Sequence, residues 1–490
     1  PHLTKKASDS KEKQAKPSKG ALSRYSYGFV TCGNKSIKFW SLDASGSLKS
    51  KKGVFGTKGP IQTISAVSFN DNGATVSGTV SGDIYIWKDN LLADVIAAHP
   101  KFVIYGIKKI VGDDTYAFIS GAKDGSICLW DSDFTLLKRY EGQDLFLQQT
   151  EGGDSAVGSD AEQEKQKTTK ETNPVAIKCV DWHNRHVLFG TGHNSIHQID
   201  DLEAGRPSVI VKAHYGDLYG LATYENYFAT CGDDGRLCLW SCSPANQLEK
   251  EVYLGRSAHA AAFSAKGEYL AVGTETGHIM VFKSPELHQC WSTQVHVHNS
   301  TPAIRQLRFS PDDRYLAITQ ENVIHLYALE EEGSCSYRSV GTLKGHTSAI
   351  IHCDFSEDSK YLQTDSNSYE LLYWDLENMQ MVMHPGAIRD VNYHTWSCVL
   401  GWAVVGIWPP GSDGTDVNAV SRSSDRKLLV TGDDFNGVKL FSYPVTKPQA
   451  AHKRYAGHSS HVMNVSFAAG DNKVVSVGGK DHSVFQWALI

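Results

Sequence analysis

The chain has 490 residues, 41% of them hydrophobic, with 48 basic against 54 acidic side chains and a net charge of −6. That length is too great for one core and suits two or three domains, with apolar content enough for packed interiors. The acidic balance excludes a general nucleic-acid binder, which needs a basic face, and no apolar run is long enough to span a bilayer.

The first residue is a proline and no signal peptide is legible, so a natural start is expected upstream. Pro1–Gly20 carries six lysines against Asp9 and Glu12, with almost no apolar content, and is predicted to be a disordered tail. From Tyr27 a repeat begins. A strand ending in a large aromatic returns about every forty-odd residues. The positions are Trp40, Trp87, Trp130, Trp240, Phe282, Tyr327, Trp374, Phe441 and Trp487, and a degenerate copy at Val187–Asp200 fills the doubled interval. Short runs rich in Val, Ile, Tyr and Phe alternate with Gly/Asp/Asn turns, as in Lys101–Asp131, Asp217–Ser241 and His461–Trp487. This spacing predicts four-stranded blades and an all-β, WD40-type β-propeller fold. Ten such units between Tyr27 and Trp487 exceed one propeller, so two are expected, at least one incomplete in this chain. Glu141–Pro174 interrupts the beat with eight acidic residues and three lysines and is predicted to be a flexible acidic linker.

Polar residues recur at fixed offsets in several blades: His99, Ser120, Asp124 and Trp130 in one, His214, Thr230, Asp234 and Trp240 in another. A buried histidine is costly unless both ring nitrogens are bonded, and a chain from Trp N–H through hydroxyl and His to Asp satisfies every member. His, Asp and Ser/Thr together imitate a hydrolase triad. An enzyme needs one triad, however, and not a copy per blade, so these sets are read as structural. Other blades depart from the pattern. The last has His458, Asp481 and Trp487 but Val477 where the hydroxyl is expected. His346 opens the Trp374 blade, whose turn reads Asp365-Ser366-Asn367, and the Phe282 and Tyr327 blades lack the full set.

No catalytic elbow, phosphate loop, dinucleotide fingerprint or H-E-x-x-H occurs, so no catalytic, cofactor or metal residue is assigned. His296 and His298 share a strand face, but two histidines do not make a zinc site. The pairs Asp233-Asp234, Asp312-Asp313 and Asp433-Asp434 are read as turn formers. The 10 cysteines include no C-x-x-C and are read as buried free thiols, which makes the cytoplasm the default location.

One stretch breaks the rhythm: HTWSCVLGWAVVGIWPPGSDGTDVNAV, His394–Val420. Val399, Leu400, Val404 and Val405 are expected to tuck into the core, but an insertion this long is often functional. Trp408, Pro410, Asp413 and Asp416 are therefore the candidate partner-binding residues.

This segment closely resembles the echinoderm microtubule-associated protein-like family. So do Lys427–Pro444, Gly457–Phe467, Val30–Leu42, Gly216–Thr223, Phe263–Phe282 and Ser366–Asp375, and the resemblance covers essentially Tyr27 to the end. It implies a tandem of two tightly joined atypical propellers. Residues 21–140 would be the last blades of the first, 141–174 a linker, and 175–490 a second propeller carrying the 394–420 insertion. It further implies a non-enzymatic scaffold that binds tubulin or microtubules and sits on the cytoplasmic cytoskeleton, spindle or cilium. Neither the family's hydrophobic motif nor its heptads are present here. A general WD40 adaptor, in a ubiquitin ligase or signalling complex, is the alternative. Neither nucleic acid nor membrane is expected as a partner.

Overall fold

The computed structural model describes residues 4–5, 27–42, 46–70, 74–146, 175–242, 247–297, 300–331, 333–413 and 416–490. Most of the lysine-rich tail, most of the acidic segment and His298 lie outside them. The described residues form ten antiparallel sheets, nine of four strands and one of three, which matches the ten units counted in the sequence. Strands follow one another in chain order within each sheet, because turns such as Asp233–Gly235 reverse the chain in three residues. Gly235 has φ 70°, a conformation that glycine adopts without steric cost. The middle strands are built of apolar and small residues and are buried throughout, as in Thr75–Thr79 and Phe118–Ala122, while outer strands such as Leu48–Lys52 and His452–Ala456 are exposed. A strand covered on both faces reads as a continuous apolar run, and one at the rim does not.

The chain divides into two compact units, 1–212 and 213–490. The first holds four sheets, beginning at Tyr27, Ile64, Ile104 and Ile177. The expected boundary at residue 175 is thereby shifted: the blade of Ile177–Val211 belongs to the first unit. Its Ile177, Val180, Trp182 and Phe189 share one buried cluster with Ile119, Ile127 and Leu129 of the preceding sheet. The acidic segment also begins differently from expectation. Gly142–Phe146 is a helical turn whose Leu145 is buried in that same cluster. Inside the tail, Thr4–Lys5 pairs with Tyr27–Gly28, covering an edge that would otherwise expose unpaired backbone groups.

The second unit holds six sheets, beginning at Leu218, Ala258, Ile304, Ile350, Val417 and Val462. It closes on itself. Leu218, Leu221 and Phe228 of its first sheet pack with Ala468, Val475 and Val477 of its last. Thr223 Oγ1 and Ser466 Oγ lie 2.8 Å apart, and Asn464 Nδ2 donates to the Tyr219 carbonyl at 3.2 Å. In all six sheets the innermost strand slips by one residue after its first pair, for example between Ile304 and Gln306. Such a bulge re-aims the side chain it skips. The skipped residues are Tyr219, His259, Arg305, Ile351, Asn418 and Met463, and all six line a central cavity of about 420 Å³.

The cysteines correct the sequence reading. Cys290 and Cys335 form a disulfide across a Cα–Cα distance of 6.0 Å. Their separation of 45 residues is one repeat, which puts them at equivalent places on neighbouring sheets. A search for close cysteine pairs could not find it. Of the free thiols, Cys32 and Cys179 are exposed and the other six are buried.

Candidate partner-binding site on the tryptophan-rich insertion

The repeated polar sets fix the frame around the insertion. Trp240 Nε1 donates to Thr230 Oγ1 at 2.7 Å, the hydroxyl lies 2.8 Å from His214 Nε2, and His214 Nδ1 lies 2.8 Å from Asp234. The hydroxyl thus links the Trp N–H to one ring nitrogen of His214, and the other ring nitrogen meets the acid, so every polar member is partnered. The Trp374 sheet, read from the sequence as departing from the pattern, repeats this with Thr364 and His346, and its acid is Glu370, at 3.0 Å. The last sheet repeats it with Trp487, His458 and Asp481 and does have a hydroxyl, on Ser476 rather than at Val477. The Trp-to-hydroxyl spacing is ten residues in the other sheets and eleven here, because the Gly478–Ser483 turn is longer. Burial pushes the His346 and His458 rings down, only partly offset by their acids, in keeping with neutral histidines.

The His99 set differs. Ser120 accepts from Trp130 and lies 2.9 Å from His99 Nε2, but the nearest partner of Nδ1 is Ser126 at 2.8 Å. Asp124 stands off at 3.4 Å, held by Arg139 at 2.9 Å. Burial opposes the charge of Asp124, yet hydrogen bonds from His99 and Ser126 bring its carboxyl down to about 2.

The insertion is moored by two carboxylates of the Ile350–Phe355 and Tyr361–Ser366 strands. Fully buried Asp354 accepts from Thr395 Oγ1 at 2.6 Å, from the Ser397 amide at 2.8 Å, and from the Cys398 amide at 3.1 Å. Burial alone would raise its pKa, but Arg308 and these donors outweigh it and hold the carboxyl below its ordinary range. Asp365 accepts the Val399 amide at 2.7 Å and meets His352 Nδ1 at 2.9 Å. His352 Nε2 faces the Asn418 carbonyl at 3.0 Å, on the sheet beyond the insertion. Both partners of this ring only accept, so both nitrogens carry protons. Burial works against that charge, but Asp365 raises the pKa above its ordinary value.

Beyond this mooring, Gly401 at φ 125° lets the chain turn into a 3₁₀ helix, Trp402–Ile407. A Cβ on Gly406 would lie 2.1 Å from the Lys447 carbonyl, so only glycine lets the helix approach that segment. Val399, Val404 and Ile407 are buried with Val417, Val420, Leu429 and Phe441, and Leu400 packs alongside. Side chains three apart eclipse in a 3₁₀ helix. Trp402, Val405 and Trp408 therefore share the other face. Trp402 is 75% exposed and Val405 48%, so Val405 does not enter the core as expected. Trp408 is half-buried against the same cluster and donates to the Val399 carbonyl at 3.2 Å. The insertion's exposed aromatic is thus Trp402, which the sequence reading passed over. Pro410 and Asp413 are exposed, and the Asp413 amide donates to Asp416 at 3.1 Å, closing a turn. Gly414 and Thr415 lie outside the described residues.

Residues 218–489 match the family model of the echinoderm microtubule-associated protein second beta-propeller, and 92–131 match the WD domain, G-beta repeat. The chain belongs to the echinoderm microtubule-associated protein-like family. It is 34% identical to human echinoderm microtubule-associated protein-like 2, over 94% of this chain and 66% of that protein. Against the human relatives 1 and 4 the identity is 33% and 32%, again over 94% of this chain but over 52% and 45% of theirs. This family member therefore spans about two thirds or less of the relatives it matches. Its insertion lies within the segment matched to the second propeller. Among the described residues, no three His, Cys, Asp or Glu groups converge to hold a metal ion, and no helix is long and apolar enough to cross a membrane.

Proposed function

We propose that this chain is a non-enzymatic, microtubule-associated scaffold that binds tubulin through the exposed face of the insertion. The observation that carries the reading is the similarity to microtubule-associated relatives over 94% of the chain, across both compact units. The sheets of 1–212 are read as blades of a first propeller and those of 213–490 as a second. The His, hydroxyl and Asp sets are already engaged by tryptophan and by one another, which leaves them to brace sheets rather than to turn over a substrate. A rigid platform bearing one apolar stripe suits docking: an aromatic anchor supplies affinity, while rim charges tune the association rate. Trp402 and Val405 form that stripe, with Pro410 and the edge of Trp408 beside them. The net charge of −6 disfavours bulk attraction to acidic tubulin, so salt sensitivity is moderate. The site of action is cytoplasmic microtubules.

Co-sedimentation with microtubules and size exclusion with free tubulin test the reading. Wild type binds at micromolar concentration, Trp402→Ala weakens binding, and deletion of residues 1–20 leaves it intact. Loss of binding on deleting the tail alone overturns the role of the insertion. No binding to lattice or dimer transfers the chain to the general adaptor class.

A further inference from the structure

We infer that the central cavity of the second unit is a binding site for a small organic or inorganic polyphosphate. Its lining includes Arg305, Arg308 and Arg422, with His259, His352 and His394, and among the described residues that line it there is no Asp or Glu. Three guanidiniums gathered in an acidic chain invert the bulk charge locally. A concave site lined by one sign of charge focuses its field and concentrates the opposite ion.

The three arginines differ in how far their charge is already used, and Arg305 is the least engaged. Arg422 donates to the carbonyls of Tyr393, at 2.6 Å, and His394, at 3.2 Å. Arg308 donates from Nε to the Cys353 carbonyl at 3.3 Å. Arg305 is exposed to the cavity and makes no hydrogen bond or ion pair with another described residue. Of the nearby carboxylates, Asp365 is engaged by His352 and Asp233 by His259 at 3.0 Å, while Asp354 accepts from Thr395, Ser397 and Cys398 and is also stabilised by Arg308. Burial, then Arg308 and Arg422, push the His394 pKa down, partly offset by Asp354.

The spacing selects the ligand class. Residues three apart on a regular strand point to opposite faces. The slip at Ile304/Gln306 overrides this, and both Arg305 and Arg308 reach the cavity. They stand three residues apart, roughly 10 Å along the strand. A molecule bearing several phosphoryl groups can engage both levels at once. Guanidinium matches phosphate in bidentate geometry. A volume of about 420 Å³ falls within the range of small-molecule sites. An acidic peptide with carboxylates at both levels would have to thread the ring.

Isothermal titration calorimetry of the full chain with inorganic tripolyphosphate at physiological salt tests this site. Saturable one-site binding is expected, weakened roughly tenfold or more by Arg305→Gln and by Arg308→Gln. Lys453→Gln, on an exposed outer strand, leaves it unchanged. Arg305 braces nothing, so its variant keeps the wild-type melting temperature even if Arg308→Gln does not fold. Three results overturn the proposal: no saturable heat at millimolar tripolyphosphate, binding that Arg305→Gln leaves intact, or tighter binding of a glutamate-rich peptide. Failure here leaves microtubule binding untouched, since that reading rests on Trp402.

Discussion

The second unit holds its parts together in two contrasting ways. Between and within regular sheets, polar groups are satisfied by side-chain relays: Trp240, Thr230, His214 and Asp234 recur almost unchanged around Trp374 and Trp487. Where the insertion replaces regular structure, ions take over: Asp354 accepts from Thr395, Ser397 and Cys398, and Asp365 pairs with a doubly protonated His352. The contrast teaches what repetition supplies. A blade receives its backbone bonds from its own ladder and needs side chains only to align neighbours. An irregular segment has no ladder, so carboxylates must satisfy its buried amides.

Breaking each kind of mooring sharpens the comparison. Asp354→Ala leaves buried donors of Thr395, Ser397 and Cys398 unmatched and should cost about 3–5 kcal/mol in urea unfolding. Trp374→Ala removes a side chain that is 1% exposed and should also cost about 3–5 kcal/mol, through the cavity left behind. Asp234→Ala, which deprives His214 of its acceptor, should cost about 1–3 kcal/mol. Asp124→Ala should fall at the low end, about 1 kcal/mol, because His99 keeps Ser126 at 2.8 Å. Equal losses for the last two would show that Ser126 does not stand in for the acid.

The ionic mooring and the relays respond to pH on opposite sides: burial lowers the His346 and His458 pKa values, so those relays weaken as pH falls, whereas the His352 contact weakens as pH rises. His352 has a folded pKa raised above its ordinary 6.5, so its stabilisation is complete below that value. It fades as pH rises through the folded value. Asp354 has a folded pKa below its ordinary 3.8, so its contribution is present above that value and fades as pH falls through the lowered one. Melting temperature should therefore decline on the alkaline side in wild type, and His352→Gln should flatten that limb. An unchanged slope in the variant would remove His352 from the account. Trp402→Ala has the smallest effect on stability, within about 0.5 kcal/mol, since the ring is 75% exposed.

The sequence made the repeats legible because strand period, turn chemistry and a closing large aromatic recur along the chain. It made the Trp–hydroxyl–His–Asp relay legible where the hydroxyl stood ten residues before the Trp and an Asp stood six before it, as at Trp130 and Trp240. Ser476 was missed because a longer turn moved the hydroxyl by one place, and Glu370 because a longer acid reached in from a different turn position. The sheet of Ile177–Val211 packs with the sheet before it, which chain order alone does not reveal. Trp402 was passed over in favour of Trp408 because three closely spaced tryptophans look alike until the 3₁₀ helix gives each a direction. The cavity arginines stayed silent for the same reason: Arg305 and Arg308 converge only through a bulge.

Closure of the second unit bears on when it can fold. The bonds that join its first and last sheets, Thr223 to Ser466 and Asn464 to Tyr219, connect residues 243 and 245 positions apart. Such contacts bring no stabilisation until the intervening loop entropy has been overcome, which makes long-range closure slow. During synthesis the innermost strand Leu218–Tyr224 must wait, one flank bare, until Val462–Ala468 has emerged. The growing chain therefore offers an unsatisfied apolar edge until that last sheet has emerged, and this is the stage at which a chaperone has something to hold.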